Sequence, residues 1–145
     1  MIPIANIDEG DFTVLDKSEV ICFVATKNAA LAREFYEGNL GLAFISEDRF
    51  AVVLNANGTM LRIQKVEKVE PRPYTALGWR VSDIRKEAGR LAKRGVTFAR
   101  YPGMQQDDLG IWSSPGGAKI AWFLDPDQNI LSITEFSDEP RREHL

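Results

Sequence analysis

The apolar residues of this chain change period along its length, and the changes mark out its elements. Residues 19–26, Glu-Val-Ile-Cys-Phe-Val-Ala-Thr, are rich in β-branched and aromatic side chains and predict a strand. From Lys27-Asn28 the spacing turns helical. Leu31, Ala32, Phe35 and Tyr36 fall on one face, Asn28 stands at the cap position, and Gly38 and Gly41 supply stop signals. Three short strands are predicted next, over 42–46, 49–55 and 59–66. The turns between them are Glu47-Asp48 and Asn55-Ala56-Asn57-Gly58, the second a strong hairpin signal.

The same order then returns. Residues 74–81 predict a strand, and Ser82 is read as the cap of a helix whose Ile84, Ala88, Leu91 and Ala92 share a face. Gly95 stops that helix. Val96–Tyr101 and Ala118–Leu124 predict strands, Asp125-Pro126-Asp127-Gln128-Asn129 a turn, and Ile130–Phe136 the last strand. The chain is thus an internal repeat, residues 18–66 and 74–136, each half reading strand, helix, three strands. Glu67–Pro73, rich in charge and proline, predicts the linker between them. Two extensions fall outside the repeat: residues 1–17, which either add an edge strand or stay loose, and the polar tail 138–145. The fold class expected is α+β.

Composition narrows the classes. The 145 residues fit one ordinary domain or two very small modules sharing a core. Hydrophobic residues at 44% and charged residues at 27% are globular proportions. With 18 basic against 21 acidic side chains the net charge is −3, which argues against a nucleic-acid partner. No apolar run approaches the roughly 18 to 20 residues that span a bilayer, and the N-terminus lacks the basic start and apolar block of a secretory signal. No membrane partner is therefore expected, and a cytoplasmic location is. Cys22 is the sole cysteine and His144 the sole histidine, the latter almost at the end. These counts exclude an internal disulfide, a Ser-His-Asp triad, a multi-histidine metal site and a cysteine-rich zinc module.

A duplicated βαβββ unit of this length resembles the vicinal oxygen chelate superfamily of glyoxalase I, extradiol dioxygenases, fosfomycin-resistance enzymes and bleomycin-resistance proteins. Phe35-Tyr36-Glu37-Gly38-Asn39-Leu40-Gly41-Leu42 is similar to that family's "FY…LG" helix end, and Asp125-Pro126-Asp127-Gln128-Asn129 to its "DPDGN" turn, with Gln128 where glycine is usual. The segment from Gly110-Ile111-Trp112 through Pro115-Gly116-Gly117 to Trp122-Phe123 also looks like a stretch seen in many members. The resemblance covers about residues 18–136. It implies two tandem βαβββ modules curled into a mixed-sheet cup, pairing into a homodimer, with a divalent metal held inside the cup of the enzymes by His and Glu side chains. Carried onto this chain, those ligand positions fall near Ile21, Arg62, Ala76 and Ser132, none a conventional ligand. A shift of register by one supplies none either, and turns the side chains to the other sheet face. No metal and no other cofactor is predicted.

Alternation indicates what lines such a cup. On the first strand Val20, Cys22 and Val24 are read as helix-facing, with Ile21, Phe23 and Ala25 toward the cup. On the fourth, Leu61 and Ile63 pack while Met60, Arg62 and Gln64 face it. On the fifth, Leu77, Trp79 and Val81 pack, with Ala76, Gly78 and Arg80 opposite. On the last, Leu131 and Ile133 pack, with Ile130, Ser132 and Thr134 opposite. Arg62 and Arg80 grip an anion in bidentate fashion, pair with Glu or Asp on a neighbouring strand, or simply reach solvent. Tyr101, Trp112, Trp122 and Phe123 offer surfaces on which a planar ligand stacks, or else serve the core or a dimer interface; of the adjacent Trp122 and Phe123, one ring faces each side of the sheet. The candidate ligand-binding set is Phe23, Met60, Arg62, Gln64, Arg80, Trp112, Ser132 and Thr134. Residues 103–110 form either a lid over the cup or a surface connection. Asp125 and Asp127 are assigned to a turn, Cys22 to an inert core thiol, and Glu135 to the rim or a salt bridge. No catalytic residue is assigned.

The function expected is a metal-free, resistance- or sequestration-type protein that binds a small aromatic or anionic molecule. Two alternatives stand beside it: a metal-dependent lyase or dioxygenase with atypical ligands, and a non-catalytic interaction protein.

Overall fold

The strand signals pair into two sheets of one plan. In the computed structural model, which describes residues 12–137, the first sheet has the order β1 (Ile21–Thr26), β4 (Thr59–Lys65), β3 (Ala51–Ala56), β2 (Ala43–Glu47). The second has the order β5 (Thr75–Arg80), β8 (Ile130–Glu135), β7 (Lys119–Leu124), β6 (Trp112–Ser113). In each sheet the first and last strands of the unit run parallel and the other pairs antiparallel. This is the expected α+β repeat, as two four-stranded mixed sheets that do not close on one another. Residues 1–11 and 138–145, which include most of the first predicted extension, the whole tail and His144, lie outside the described residues.

Local chemistry explains the boundaries. Asn28 caps α1 (Ala29–Arg33), its Oδ1 accepting from Leu31 N–H at 3.1 Å. The helix then widens into a π-helical stretch, Glu34–Asn39, closed by Leu40 N–H donating to the Phe35 carbonyl. The hairpin between β3 and β4 turns at Asn57 (φ 51°) and Gly58 (φ 91°), the paired positive angles of a type I′ turn. α2 (Ile84–Lys93) is capped by Asp83 and not by Ser82: the Asp83 carboxylate accepts from Lys86 N–H, three residues on. Glu135 accepts from Ile84 N–H at 3.0 Å, so the expected rim residue secures the start of this helix.

The predicted strand Val96–Tyr101 is the principal correction. Only Phe98 bridges β7, opposite Phe123, supported by Ala99 N–H donating to the Trp122 carbonyl. The pairing resumes at Trp112–Ser113, opposite Ile120 and Lys119. The partner of β7 is therefore one strand in two pieces, with residues 100–111 looped out between them. Gly110 permits the close return, because a Cβ there would lie 2.9 Å from the Phe98 Cβ.

Alternation buries one face of each sheet. Val24, Leu61, Ile63, Val52 and Leu54 from the first sheet join Ala121, Phe123, Leu131 and Ile133 from the second in a single core with Ala32, Tyr36, Ile84 and Ala88. Phe35 links the halves, its ring 5.2 Å from that of Tyr36 and 6.3 Å from that of Phe123. Val20, read as helix-facing, precedes β1 and is exposed, whereas Cys22 packs against the core as expected. The Asp125–Asn129 turn carries the tie between halves. The buried Asp125 carboxylate accepts from Tyr36 Oη–H at 2.7 Å, from Asn129 Nδ2 at 2.8 Å, and from Asp127 N–H and Asn129 N–H at 2.9 Å each. Asp127 accepts from Lys27 N–H, and Asn129 Nδ2 also donates to the Ala25 carbonyl. A second tie joins the helix ends: the Arg94 guanidinium donates to the carbonyls of Gly38 and Asn39, and Asn39 Nδ2 donates back to the Arg94 carbonyl.

Burial, together with the charges of Asp125 and Asp127, pushes the Tyr36 hydroxyl well above the usual phenol range. Below pH 10 the phenol is protonated in both states. Above it the unfolded chain releases the proton and the folded chain does not, so stability falls by about 1.4 kcal/mol per pH unit. Tyr36→Phe is expected to cost about 1–3 kcal/mol at neutral pH, by leaving a buried carboxylate short of a donor. The same substitution abolishes Tyr36's share of the alkaline decline; urea titrations between pH 7 and 11.5 measure both effects. Gln128 holds φ 71° in the same turn. Gln128→Gly is expected to raise stability by up to about 1 kcal/mol, read as an upward shift in thermal midpoint; a fall would show that the Gln128 side chain itself holds the turn.

Candidate functional site

The faces opposite the core are only partly open, since Ala51 and Val53 of the first sheet and Ser132 of the second are buried there. In the first sheet, register places Phe23 beside Arg62, Ile21 beside Met60 and Ala25 beside Gln64 on the two parallel strands. Phe23 is 50% exposed and Met60 42%, large values for apolar residues in strands. Arg62 is half-buried and makes no ion pair or hydrogen bond with any described residue. Its charge reaches the Asp48 carboxyl, held below its usual range first by the N–H groups of Phe50 and Ala51 and then by Arg62 and Lys65.

In the second sheet, Gly78 lies beside Ser132 and Arg80 beside Thr134, while Trp122 and Ile120 face Ser132 and Thr134 from β7. Phe123 takes the core side, which puts Trp122 on the open face. There Trp122 is the centre of an aromatic shelf: the Tyr101 ring meets it edge-on at 5.7 Å and the Trp112 ring lies tilted at 6.1 Å. At the far edge the Arg80 guanidinium stacks 4.8 Å above the Phe136 ring and, like Arg62, makes no ion pair among the described residues.

The candidate set therefore divides in two. Phe23, Met60, Arg62 and Gln64 share the open face of the first sheet, and Arg80, Trp112, Ser132 and Thr134 that of the second. No hydrogen bond or ion pair links the two groups. Neither arginine forms an ion pair among the described residues; Arg80 is exposed and Arg62 half-buried, so the readings as an anion grip and as a solvated side chain both stand. Trp122 and Tyr101 join the shelf although neither was selected. Pairing of Trp122 with Ser132 across β7 and β8 is the signal that reveals the first, and the inserted loop hid the second.

That loop is extensively hydrogen-bonded within itself. Gln106 receives the Tyr101 N–H on its Oε1 at 2.8 Å and donates from Nε2 to the carbonyls of Ala99 and Gly110 at 2.9 Å. One side chain thus closes the neck between the two pieces of strand. Asp107 Oδ1 accepts from Leu109 and Ile111 N–H, and Arg85 pairs with Asp107 at 2.7 Å. These bonds tie residues 100–111 to one another and to α2.

The positions at which the resemblance would seat a metal carry two aliphatic side chains (Ile21, Ala76), a guanidinium (Arg62) and a hydroxyl (Ser132). That donor set does not fit a divalent cation. Among the described residues, no three His, Cys, Asp or Glu side chains gather into a cluster. No helix among them is long and apolar enough to cross a membrane.

A repeated βαβββ unit with one packed and one open face per sheet is the plan of the vicinal oxygen chelate fold. The chain belongs to the Glyoxalase/Bleomycin resistance protein/Dioxygenase superfamily, whose family model matches residues 20–133. It is similar to a glyoxalase/bleomycin resistance protein/dioxygenase from Nocardioides (TM-score 0.65, 17% identity, covering 94% of this chain and 95% of that one). It is similar also to the fosfomycin resistance protein FosX of Listeria monocytogenes (0.64, 11%, 84% and 95%). A third likeness is to lactoylglutathione lyase of Agrobacterium tumefaciens (0.62, 13%, 81% and 93%). No curated protein matches the chain.

Gln106→Ala removes the partner of three backbone groups and is expected to cost about 1–3 kcal/mol. Hydrogen exchange should quicken at Tyr101 and through residues 100–111, with β8 unchanged. Equal protection in the variant would show that Asp107 and Arg85 suffice to hold the loop.

Proposed function

We propose that this chain is a metal-free binder of a small aromatic or anionic molecule, held on the open sheet faces, and that a second copy completes the enclosure. The observation that carries the reading is the pair Arg62 and Arg80, two permanent cations without ion-pair partners among the described residues, the first beside exposed Phe23 and Met60 and the second on the face that also presents the aromatic shelf. Arginine left unpaired beside apolar side chains supports a carboxylate or phosphate ligand gripped through parallel N–H donors. Proteins of this fold include both a lyase and a fosfomycin resistance protein, so the choice between turnover and sequestration rests on the open-face residues. Those residues comprise guanidinium, amide, hydroxyl and aromatic groups, with no histidine or carboxylate set to serve as general base.

Homodimerisation is supported by the same faces. Ile21, Phe23 and Met60 form an apolar strip more than 40% exposed at each residue, and the two sheets of one chain do not cover each other's open faces.

The test begins with elemental analysis and thermal-shift titration against nickel, zinc, manganese and iron(II), where neither stoichiometric metal nor stabilisation is expected. Binding of 2-naphthoate is then followed by tryptophan fluorescence. Arg62→Ala and Trp112→Ala are each expected to weaken it about tenfold or more while the melting profile is kept, since a hydrogen bond to a charged group contributes about 1.5–3 kcal/mol. A bound stoichiometric metal, or unchanged affinity in both variants, overturns the reading.

A further inference from the structure

Ser132 stands at the centre of β8, with β5 on one side and β7 on the other. The residue is only 6% exposed, yet its hydroxyl has no hydrogen-bond partner among the described residues. Among the described residues no fully enclosed side-chain polar atom is left without a partner, so the Ser132 Oγ keeps an opening to solvent. The opening lies over Gly78. A Cβ built on Gly78 would come 2.8 Å from the Ser132 Oγ, so the hydroxyl leans into the space that any other side chain at position 78 would fill. Gly78 does not have a left-handed φ, and no turn needs it; its lack of a side chain makes room.

The surroundings indicate what fills the opening. Gly78, Arg80, Thr134 and Phe136 border a depression of about 230 Å³. Trp122 lies across from Ser132 on β7. Arg80 is the next residue along β5 on the same face as Gly78, roughly 7 Å away at the rise of an extended strand. Its guanidinium face is occupied by Phe136, which leaves the N–H edge available.

We infer that the gap over Gly78 is a polar notch in which the Ser132 hydroxyl bonds an oxygen of an aromatic carboxylate, whose ring lies against Trp122 and whose carboxylate meets Arg80. This rests on the binding function proposed above and adds the ligand class: a planar ring with a carboxylate at one end and a hydroxyl or carbonyl oxygen at the other. A serine hydroxyl both donates and accepts, so either kind of oxygen is suitable.

The test compares 4-hydroxybenzoate with benzoate by calorimetry on the full chain. Wild type is expected to bind 4-hydroxybenzoate about tenfold more tightly. Ser132→Ala should bring 4-hydroxybenzoate to the benzoate level and leave benzoate unchanged, a pattern that general loosening of the sheet would not produce. Gly78→Ala should weaken 4-hydroxybenzoate selectively, its melting curve confirming that the sheet is intact; Ser132→Ala carries the test if that variant fails to fold. Equal affinities in wild type, or a preference that survives in Ser132→Ala, overturns the notch while leaving the open-face site standing. Failure of wild type to bind either compound overturns both.

Discussion

A single buried carboxylate sets the relation between the two halves of this molecule. Asp125 is 3% exposed, and a charge in that position is tolerable only because its oxygens are fully engaged. Two of its donors are backbone groups of its own turn, which shape the link from β7 to β8. A third is the hydroxyl of Tyr36, from the π-helical stretch of the first half. Asn129 then reaches back to the end of β1, and Asp127 catches the residue after it. The start of α1, the end of β1 and the entrance to β8 are thereby fixed at one point, and β8 is the strand that carries Ser132 and Thr134. The turn at the start of β8 thereby fixes where the candidate residues of that strand lie.

With the packed faces joined in one core, the other faces remain open, and their residues differ in kind. The first sheet presents exposed apolar side chains with one arginine among them. The second presents aromatic rings, two hydroxyls without a hydrogen-bond partner among the described residues, and an arginine stacked on phenylalanine. Neither set contributes what a core residue contributes, since apolar area stays in water and polar atoms stay unpaired. Such a face is a poor solution for stability alone and a good one for holding a ligand of mixed apolar and anionic character.

The split strand shows how this fold accommodates an insertion. An antiparallel partner of β7 runs as far as Ala99, leaves for twelve residues and returns at Trp112. Gln106 spans the neck as a backbone would, bonding to both pieces with one amide. The insertion brings Tyr101 and Trp112 to either side of Trp122, so the aromatic shelf is a product of the loop-out and of the glycine that lets the chain return.

Period, cap and turn signals are local, and they were legible in the chain itself: seven of the strands, both helices, the Asn28 cap, the Asn57-Gly58 hairpin and the duplicated βαβββ order follow from residues within a few positions of one another. Alternation also assigned Phe23, Arg62, Ser132 and Thr134 to the face away from the core, because the period of a strand is two wherever it pairs. Tertiary structure alone decided the rest. The partners of Asp125, Arg94 and Gln106 lie across turns, modules or an inserted loop, and the strand expected at Val96–Tyr101 gave way to Trp112–Ser113 because pairing is settled by the neighbour and not by propensity. Whether an arginine pairs locally, and whether a serine hydroxyl finds a donor or an opening, depends on side chains that meet only after the sheets form. Both facts arise from distances that sequence separation does not encode.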